Sequence, residues 1–253
     1  MRGIVRGAGV SAAVGALLLL AEPAAGEQGS PLLYRTEQIG GSVAHVLDVD
    51  SSRATLKVLD SRDHGQPAMT AAAFATASGA AAVINGPFFD VDGSPMGLLV
   101  VDGKQKQGLR SVDWGVFYVD GAGPHIVHTR EYGTPKGVSQ AFQVGPRLVV
   151  DGAALGLKPQ SARRTAVCTK KGGHVLLVAT ETSVQAKDLA DWFVAAGCEH
   201  ALNLDGGPST QMHLSSGGVE VSETGGTGVP IALGVFPREP AKRESSGGGS
   251  GCL

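Results

Sequence analysis

The chain has 253 residues, of which 42% are hydrophobic and 17% are charged, and its formal net charge at pH 7 is −2. This length supports one domain with its own core, and the hydrophobic fraction is typical of globular proteins. The small net charge argues against the cationic surface that binds nucleic acid, so we expect no nucleic-acid partner. The 38 glycines indicate many turns and therefore a strand-rich fold.

The N-terminal residues 1–26 have the pattern of a secretory signal peptide. Arg2 and Arg6 give a positive start, an apolar stretch covers residues 10–21, and Ala24, Ala25 and Gly26 supply small residues for cleavage. The apolar stretch is short for a bilayer-spanning helix, and an uncleaved anchor is the alternative. We expect a secreted or periplasmic protein with no stable membrane span after cleavage.

The remainder is predicted to be a linker over residues 27–39, one domain over 40–237 and a disordered Gly/Ser-rich tail over 238–253. Cys252 lies in this tail, which leaves Cys168 and Cys198 as the pair that could form a disulfide after export. The sequence does not decide between a disulfide and two buried thiols.

The first half of the domain is predicted to contain one helix among strands. Val43, His45 and Leu47 share one face of the first strand, because side chains alternate along a strand. An alanine-rich helix is expected to end at Gly79. The predicted elements are strands over 42–50 and 54–59, a helix over 69–77, and strands over 81–84, 97–101, 114–119 and 125–128.

The second half is predicted to contain the longer helix. Thr182 and Gln185 have the spacing of a capping box, Leu189 and Phe193 share one face, and Gly197 is expected to end the helix. The predicted strands cover 142–150, 165–169, 174–180, 201–204 and 231–236. Together these elements predict an α+β fold, a single domain of mostly antiparallel or mixed β-sheet with a few helices.

Asp-Gly pairs occur five times beside these strands. Four of them predict tight turns, at 92–93, 102–103, 120–121 and 151–152. The fifth, Asp205-Gly206, follows a buried strand and continues as Gly207, Pro208 and Ser209, with no second strand directly after it. Successive free N–H groups there could bind an anion. The pattern favours a functional loop, with an elaborate turn as the alternative.

Several common catalytic motifs are absent. The chain has no phosphate loop, no His-Glu-x-x-His, no Gly-x-Ser-x-Gly and no Cys-x-x-Cys, which disfavours nucleotide hydrolases, zincins and serine hydrolases of the usual pattern. Polar residues instead stand at strand ends: Asn85, Arg164 and Asp205. An amide for a sugar hydroxyl, a cation for phosphate and a carboxylate for carbon form a coherent chemical set.

Five segments carry a specific resemblance, and they are 85–89 (Asn-Gly-Pro-Phe-Phe), 145–152, 164–166 (Arg-Thr-Ala), 188–198 and 201–210. In this order they are similar to the phosphodiester glycosidase family, over about residues 40–236. The resemblance implies hydrolysis of a sugar-1-phosphodiester, such as an N-acetylglucosamine-1-phosphodiester, at the anomeric carbon. Pro208 departs from the family pattern, and Glu181 stands where Asp-Gly-Arg is usual.

The resemblance implies a role for each candidate site residue. Asp205 is expected to face the anomeric carbon as nucleophile or general base, and Glu181 is the second catalytic candidate. Asn85 is expected to orient the sugar and Arg164 to bind the phosphate. Further substrate contacts are expected from Gly206, Gly207, Ser209, Thr210 and His213.

The partner implied is a carbohydrate or sugar-phosphate substrate. No cofactor is certain, and a divalent cation held by Asp205 with Asn203 or Asp90 is left open. An alternative function is a non-catalytic protein of the same fold that binds envelope carbohydrate or exopolysaccharide. Hydrolysis of an ordinary glycosidic bond, or of another phosphodiester, is a third hypothesis.

Overall fold

The computed structural model describes residues 29–238, so the predicted signal peptide over 1–26 and almost all of the predicted tail lie outside it. The described chain consists mainly of strands, with two α-helices. In chain order the elements are β1 (Leu32–Ile39), β2 (Ser42–Asp50), β3 (Ala54–Asp60), α1 (Ala71–Ser78), β4 (Ala82–Asn85), β5 (Leu99–Val101), β6 (Lys104–Gln107), β7 (Gly115–Asp120), β8 (Gly123–His128), β9 (Gln140–Val144), β10 (Arg147–Val150), β11 (Ala153–Ala154), β12 (Ser161–Ala162), β13 (Thr165–Lys170), β14 (His174–Thr180), β15 (Val184–Gln185), α2 (Ala186–Ala195), β16 (Cys198–Asn203), β17 (Met212–Ser216), β18 (Val219–Glu223) and β19 (Ile231–Pro237).

Three antiparallel sheets and one short strand pair contain these strands. The largest sheet has seven strands in the order β1-β2-β14-β13-β16-β10-β11. A second sheet has the order β18-β17-β4-β19-β3, and a third has the order β6-β5-β9-β7-β8, while β12 pairs with β15. The predicted α+β fold, mostly antiparallel with few helices, is confirmed.

A central core lies where the three sheets face one another. It contains buried side chains from each sheet, such as Leu47 and Leu202, Val58 and Leu233, and Phe117. Helix α2 covers the outer face of the seven-stranded sheet, and helix α1 covers the outer face of the second sheet. Within residues 29–238, neither helix is long and apolar enough to cross a membrane.

Helix α1 follows the prediction and α2 departs from it. In α1 the hydroxyl of Thr70 accepts the N–H of Ala73 at 3.2 Å, and the helix ends at Gly79. The predicted capping box of α2 is wrong, because the helix begins at Ala186 and Gln185 makes no capping hydrogen bond with its side chain. Residues 184–185 instead pair with β12 as β15.

Two other segments differ from the prediction. Residues 142–150, expected as one strand, divide into β9 and β10, which belong to different sheets. Gly145 and Pro146 separate them, and a proline has no N–H to donate to a ladder. The predicted linker over 27–39 contains β1, which pairs along its whole length with β2 and so extends the seven-stranded sheet.

The four predicted Asp-Gly turns are confirmed. Three of them connect paired strands: β5 to β6, β7 to β8, and β10 to β11. In two of these Asp and Gly both have positive φ, with 46° and 76° at 102–103 and 49° and 76° at 151–152. That geometry is the turn type that two-residue hairpins prefer.

Cys168 and Cys198 form a disulfide. They lie on β13 and β16, which are adjacent in the seven-stranded sheet, and their Cα atoms are 5.9 Å apart. Both side chains are buried among residues that α2 covers. The bridge therefore links the strand that precedes the Asp205 loop to its neighbour.

Replacing both Cys168 and Cys198 by Ala should lower the free energy of unfolding by about 3–4 kcal/mol. The reason is that the bridge closes a segment with a sequence separation of 30 residues, and this closure restricts the unfolded chain. Urea unfolding of the oxidised wild type and of the double variant would measure the difference. A reductant should bring the wild type towards the variant and leave the variant unchanged; equal midpoints for the two oxidised proteins would contradict the expectation.

Candidate active site

Asp205 lies in a loop that joins two different sheets. Strand β16 ends at Asn203, and a short 3₁₀ turn over Gly207–Ser209 leads to β17. Strand β17 pairs with β4 and β18 and not with β16, so the segment is a crossing loop and not a hairpin turn. The Asp205 N–H donates to the carbonyl of Gly86 at 3.1 Å, which ties the loop to the end of β4.

Asn85 holds this loop from the protein interior. Its Nδ2 donates to the carbonyl of Asp205 at 2.7 Å. Its Oδ1 accepts the Thr165 hydroxyl at 2.6 Å and the Gln211 N–H at 3.1 Å. The side chain is fully buried, so the structure does not present it to a sugar as the sequence suggested. Asn85 positions the loop that carries Asp205.

The backbone N–H groups of the loop are committed to acceptors within the protein. Gly206 donates to Oδ1 of Asp205 at 3.0 Å, and Gly207 donates to the carbonyl of Arg163 at 2.9 Å. Ser209 and Thr210 donate to the carbonyls of Gly206 and Gly207, both at 3.2 Å. The expectation that Gly206 and Gly207 offer free N–H groups to an anion is therefore wrong, because the Asp205 carboxylate and the Arg163 carbonyl accept them.

The carboxyl of Asp205 is partly buried, and burial raises its pKa above the ordinary aspartate value. Hydrogen bonds from the Ser209 hydroxyl and the Gly206 N–H act in the opposite direction, since they stabilise the carboxylate, but burial has the larger effect. A carboxyl in this environment holds its proton more tightly than an exposed aspartate does. Such a group can act as a base, a nucleophile or an acid.

Arg164 is buried beside the loop. Its guanidinium donates to the carbonyl of Val184 at 3.5 Å, to Oδ1 of Asn203 at 3.4 Å and to the carbonyl of Gln160. The residue is only 3% exposed, and burial lowers the pKa of its guanidinium. The hydrogen bonds of the Arg164 guanidinium are thus to neutral oxygens, and the structure does not present it to solvent for direct phosphate contact.

Arg163 is a contact of the Asp205 loop that the sequence analysis missed. Its guanidinium donates to the carbonyl of Thr210 at 3.2 Å and to the carboxylate of Glu223. Consecutive residues of an extended chain point in opposite directions, which is why Arg163 and Arg164 have different surroundings. The sequence analysis selected Arg164, whereas Arg163 is the arginine that contacts the loop through the carbonyl of Thr210.

The remaining predicted contacts are distributed around the loop. Ser209 is buried and bonds to Asp205, whereas Oγ1 of Thr210 is buried and has no hydrogen-bond partner in the described chain. His213 follows Met212, which faces the central core, so His213 faces the side of the second sheet that α1 covers. Within residues 29–238, no hydrogen bond or ion pair joins His213 to Asp205.

Glu181 belongs to a different group of side chains. Its carboxylate lies 3.2 Å from Nε2 of His45, and Glu223 lies 3.6 Å from the same nitrogen. Neither His45 nor Glu223 was selected from the sequence, although the strand pattern did place His45 on one face with Leu47. Leu47 contributes to the central core, so that face could have drawn attention to a polar side chain between the sheets.

The cation site considered at Asp205 had Asn203 or Asp90 as its second ligand. The Asn203 carboxamide is occupied, because Oδ1 accepts from Arg164 and Nδ2 donates to the carbonyl of Leu204. Asp90 is exposed, and its carboxylate accepts the N–H of Val91 at 2.8 Å. Both polar atoms of the Asn203 carboxamide therefore already have partners within the protein.

Comparison with known families identifies the protein's class. The family model of the phosphodiester glycosidases matches residues 78–236, which is more than half of the chain. The chain belongs to the phosphodiester glycosidase family. The uncharacterized protein YigE of Escherichia coli K12 is 28% identical over 153 residues, which is 54% of this chain and 59% of that protein. The match thus spans less than two thirds of that relative.

Solved structures show the same fold. The catalytic domain of zebrafish N-acetylglucosamine-1-phosphodiester alpha-N-acetylglucosaminidase, auto-inhibited by its pro-peptide, matches with a TM-score of 0.65 and 16% identity, over 85% of this chain and 86% of the zebrafish one. A Burkholderia pseudomallei protein whose name assigns it to the exported proteins also matches. Its TM-score is 0.59 and its identity 16%, over 78% of this chain and 74% of that one. At these identities the likeness concerns the fold.

Replacing Asn85 by Ala should lower the free energy of unfolding by on the order of 3 kcal/mol. The reason is that the substitution leaves the carbonyl of Asp205, the hydroxyl of Thr165 and the N–H of Gln211 without this partner. Urea unfolding measures the effect. Thr165→Val is the matched control, since it removes only one of the three bonds and should cost about 1 kcal/mol. Equal losses in the two variants would show that Asn85 does not hold the loop.

Proposed function

We propose that this protein hydrolyses a sugar-1-phosphodiester, of the N-acetylglucosamine-1-phosphodiester type, at the anomeric carbon. The observation that carries the proposal is the Asp205 carboxyl, which is partly buried, has a raised pKa and lies in a loop whose backbone N–H groups are hydrogen-bonded. Membership in the phosphodiester glycosidase family supports this reaction class. The name of the zebrafish protein of similar fold supports the substrate type.

The proposed reaction depends mainly on a carboxylate. When a sugar-1-phosphodiester is cleaved between the anomeric carbon and oxygen, a phosphate monoester leaves and needs little protonation. The transition state resembles an oxocarbenium ion, which a carboxylate stabilises as nucleophile or as general base for water. We assign this role to Asp205. Whether Asp205 is the nucleophile or the general base, it acts in its ionised form.

The surrounding residues have supporting roles in the proposal. Asn85 and Arg163 position the loop, and the hydrogen bond from Ser209 stabilises the ionised form of the Asp205 carboxyl. Arg164 is kept as a source of positive potential and not as a direct phosphate ligand, because its guanidinium is buried among neutral oxygens. Glu181 has no assigned part in the bond cleavage, since it lies with His45.

We also propose that the protein functions outside the cytoplasm, secreted or periplasmic. The Cys168–Cys198 disulfide supports this location, since disulfides persist in oxidising compartments. The similar fold of the Burkholderia protein named for export is consistent with it.

Asp205→Asn should reduce turnover of a sugar-1-phosphodiester by about 10²–10⁴-fold, because an amide cannot act as the carboxylate. Its thermal midpoint at pH 7 should be unchanged or higher, since the cost of burying a charge is removed. A panel of sugar phosphodiesters, with reducing sugar and phosphomonoester measured separately, tests the proposal.

Asp191→Asn is the matched control, because Asp191 is an exposed residue of α2 that pairs with Lys187, and it should keep full turnover. Wild-type activity that survives Asp205→Asn would refute the role of Asp205. A wild type that binds the sugars but releases neither product would identify a carbohydrate-binding protein instead.

Ser209→Ala should move the acid limb of the kcat/KM profile to higher pH. In the wild type this limb is expected above the ordinary aspartate pKa of about 3.9, because burial raises the pKa of Asp205. The Ser209 hydroxyl stabilises the carboxylate, so its loss raises that pKa further. Ser215→Ala, at an exposed position of β17, should leave the limb in place. A limb that stays fixed or moves to lower pH in Ser209→Ala would count against ionised Asp205 as the active form.

A further inference from the structure

Three side chains with metal-ligating atoms meet near the junction of two sheets. His45 lies on β2, Glu181 directly follows β14, and Glu223 ends β18. Their ligand atoms all lie within 4.8 Å of one another, and within residues 29–238 they form the one such group of three or more His, Cys, Asp or Glu side chains. The fold alone brings them together, since they are far apart in the chain.

The distances fit the coordination sphere of a small transition-metal ion. Nε2 of His45 is 3.2 Å from Oε1 of Glu181 and 3.6 Å from Oε2 of Glu223. Ligand atoms about 2.0–2.2 Å from a tetrahedral Zn²⁺ are roughly 3.3–3.6 Å apart. One imidazole nitrogen and two carboxylate oxygens suit Zn²⁺ and not Ca²⁺, which prefers six or more oxygens. Three protein ligands also leave a position open for water or substrate.

The imidazole of His45 is oriented to act as a metal ligand. Its Nδ1 lies 2.7 Å from the Tyr34 hydroxyl, and the two rings stack with centroids 6.1 Å apart. Its Nε2 is buried and has no hydrogen bond of good geometry in the described chain. If Nδ1 carries the proton and donates to Tyr34, the lone pair of Nε2 points at the two glutamates, which is the usual arrangement of a ligating histidine.

Arg163 completes the surroundings of Glu223. It binds Oε1 of that carboxylate and leaves Oε2 facing His45. The same guanidinium donates to the carbonyl of Thr210, and the Arg163 carbonyl accepts the N–H of Gly207. One residue therefore connects the three ligating side chains to the loop that carries Asp205.

We infer that His45, Glu181 and Glu223 bind a single divalent transition-metal ion of the zinc class. Tyr34 and Arg163 are positioning residues that orient His45 and Glu223. The inference of a metal site can be tested separately from the reaction proposed for Asp205, because metal binding is measured without substrate.

Zinc binding by the full mature chain tests the inference. All proteins in this experiment carry Cys252→Ser, so that the thiolate of Cys252 cannot bind the metal. The protein is treated with a chelator, dialysed and titrated with ZnCl₂ in a calorimeter, with CaCl₂ as the comparison. We expect one equivalent of zinc, no comparable uptake of calcium, and a thermal midpoint that rises with zinc. Absence of zinc binding by the folded protein would overturn the inference.

Variants locate the bound ion. Glu181→Gln is the principal one, because this half-exposed side chain contributes least to packing, and it should weaken zinc binding by at least about tenfold. His45→Gln should do the same, and Tyr34→Phe should weaken binding less. His174→Gln is the matched control, since His174 pairs with a single carboxylate, Asp48, in the same sheet. Circular dichroism confirms folding; equal affinity of Glu181→Gln and wild type would overturn the assignment.

Discussion

The loop that carries Asp205 depends on how closely Gly206 approaches the carbonyl oxygen of Arg163. A Cβ atom at position 206 would lie 2.6 Å from that oxygen, so a larger residue would push the loop away from the start of β13. The same oxygen accepts the N–H of Gly207, whose φ of 59° suits glycine. One carbonyl group thus fixes both glycines, and with them the carboxyl of Asp205 immediately before.

This rigidity allows an unfavourable group to persist. Burial raises the pKa of Asp205, which means that its ionised form is disfavoured in the folded state. The ionised carboxyl therefore lowers stability at pH values above its folded pKa, and this cost disappears below the unfolded value. The hydrogen bond that Asn85 donates to the carbonyl of Asp205 offsets part of this cost. A buried carboxylate that lowers stability, held in a loop whose backbone is hydrogen-bonded, is typical of a functional site. Such a site is shaped by the needs of the chemistry as well as by stability.

Local patterns predicted the fold better than they predicted its connections. Alternation located the strands, and Asp-Gly pairs located the turns, because both depend on near neighbours in the chain. The errors arose where distant pairing decides the outcome. Thr182 and Gln185 had the spacing of a capping box, but Gln185 pairs with β12 as part of β15. Strand β1 was missed because its burial pattern is irregular and its support comes from β2.

The site shows the same limit at the level of single side chains. Asp205 was recognisable because the residues that shape its loop follow it directly in the sequence. Arg164 was selected for the phosphate and Arg163 was not, because the sequence does not show which face each side chain presents to the sheets. His45 and Glu223 are separated by most of the domain, and they meet only because β2 and β18 reach the same junction from different sheets. A residue set assembled by sheet packing leaves no spacing in the sequence, so its chemistry becomes visible only in three dimensions.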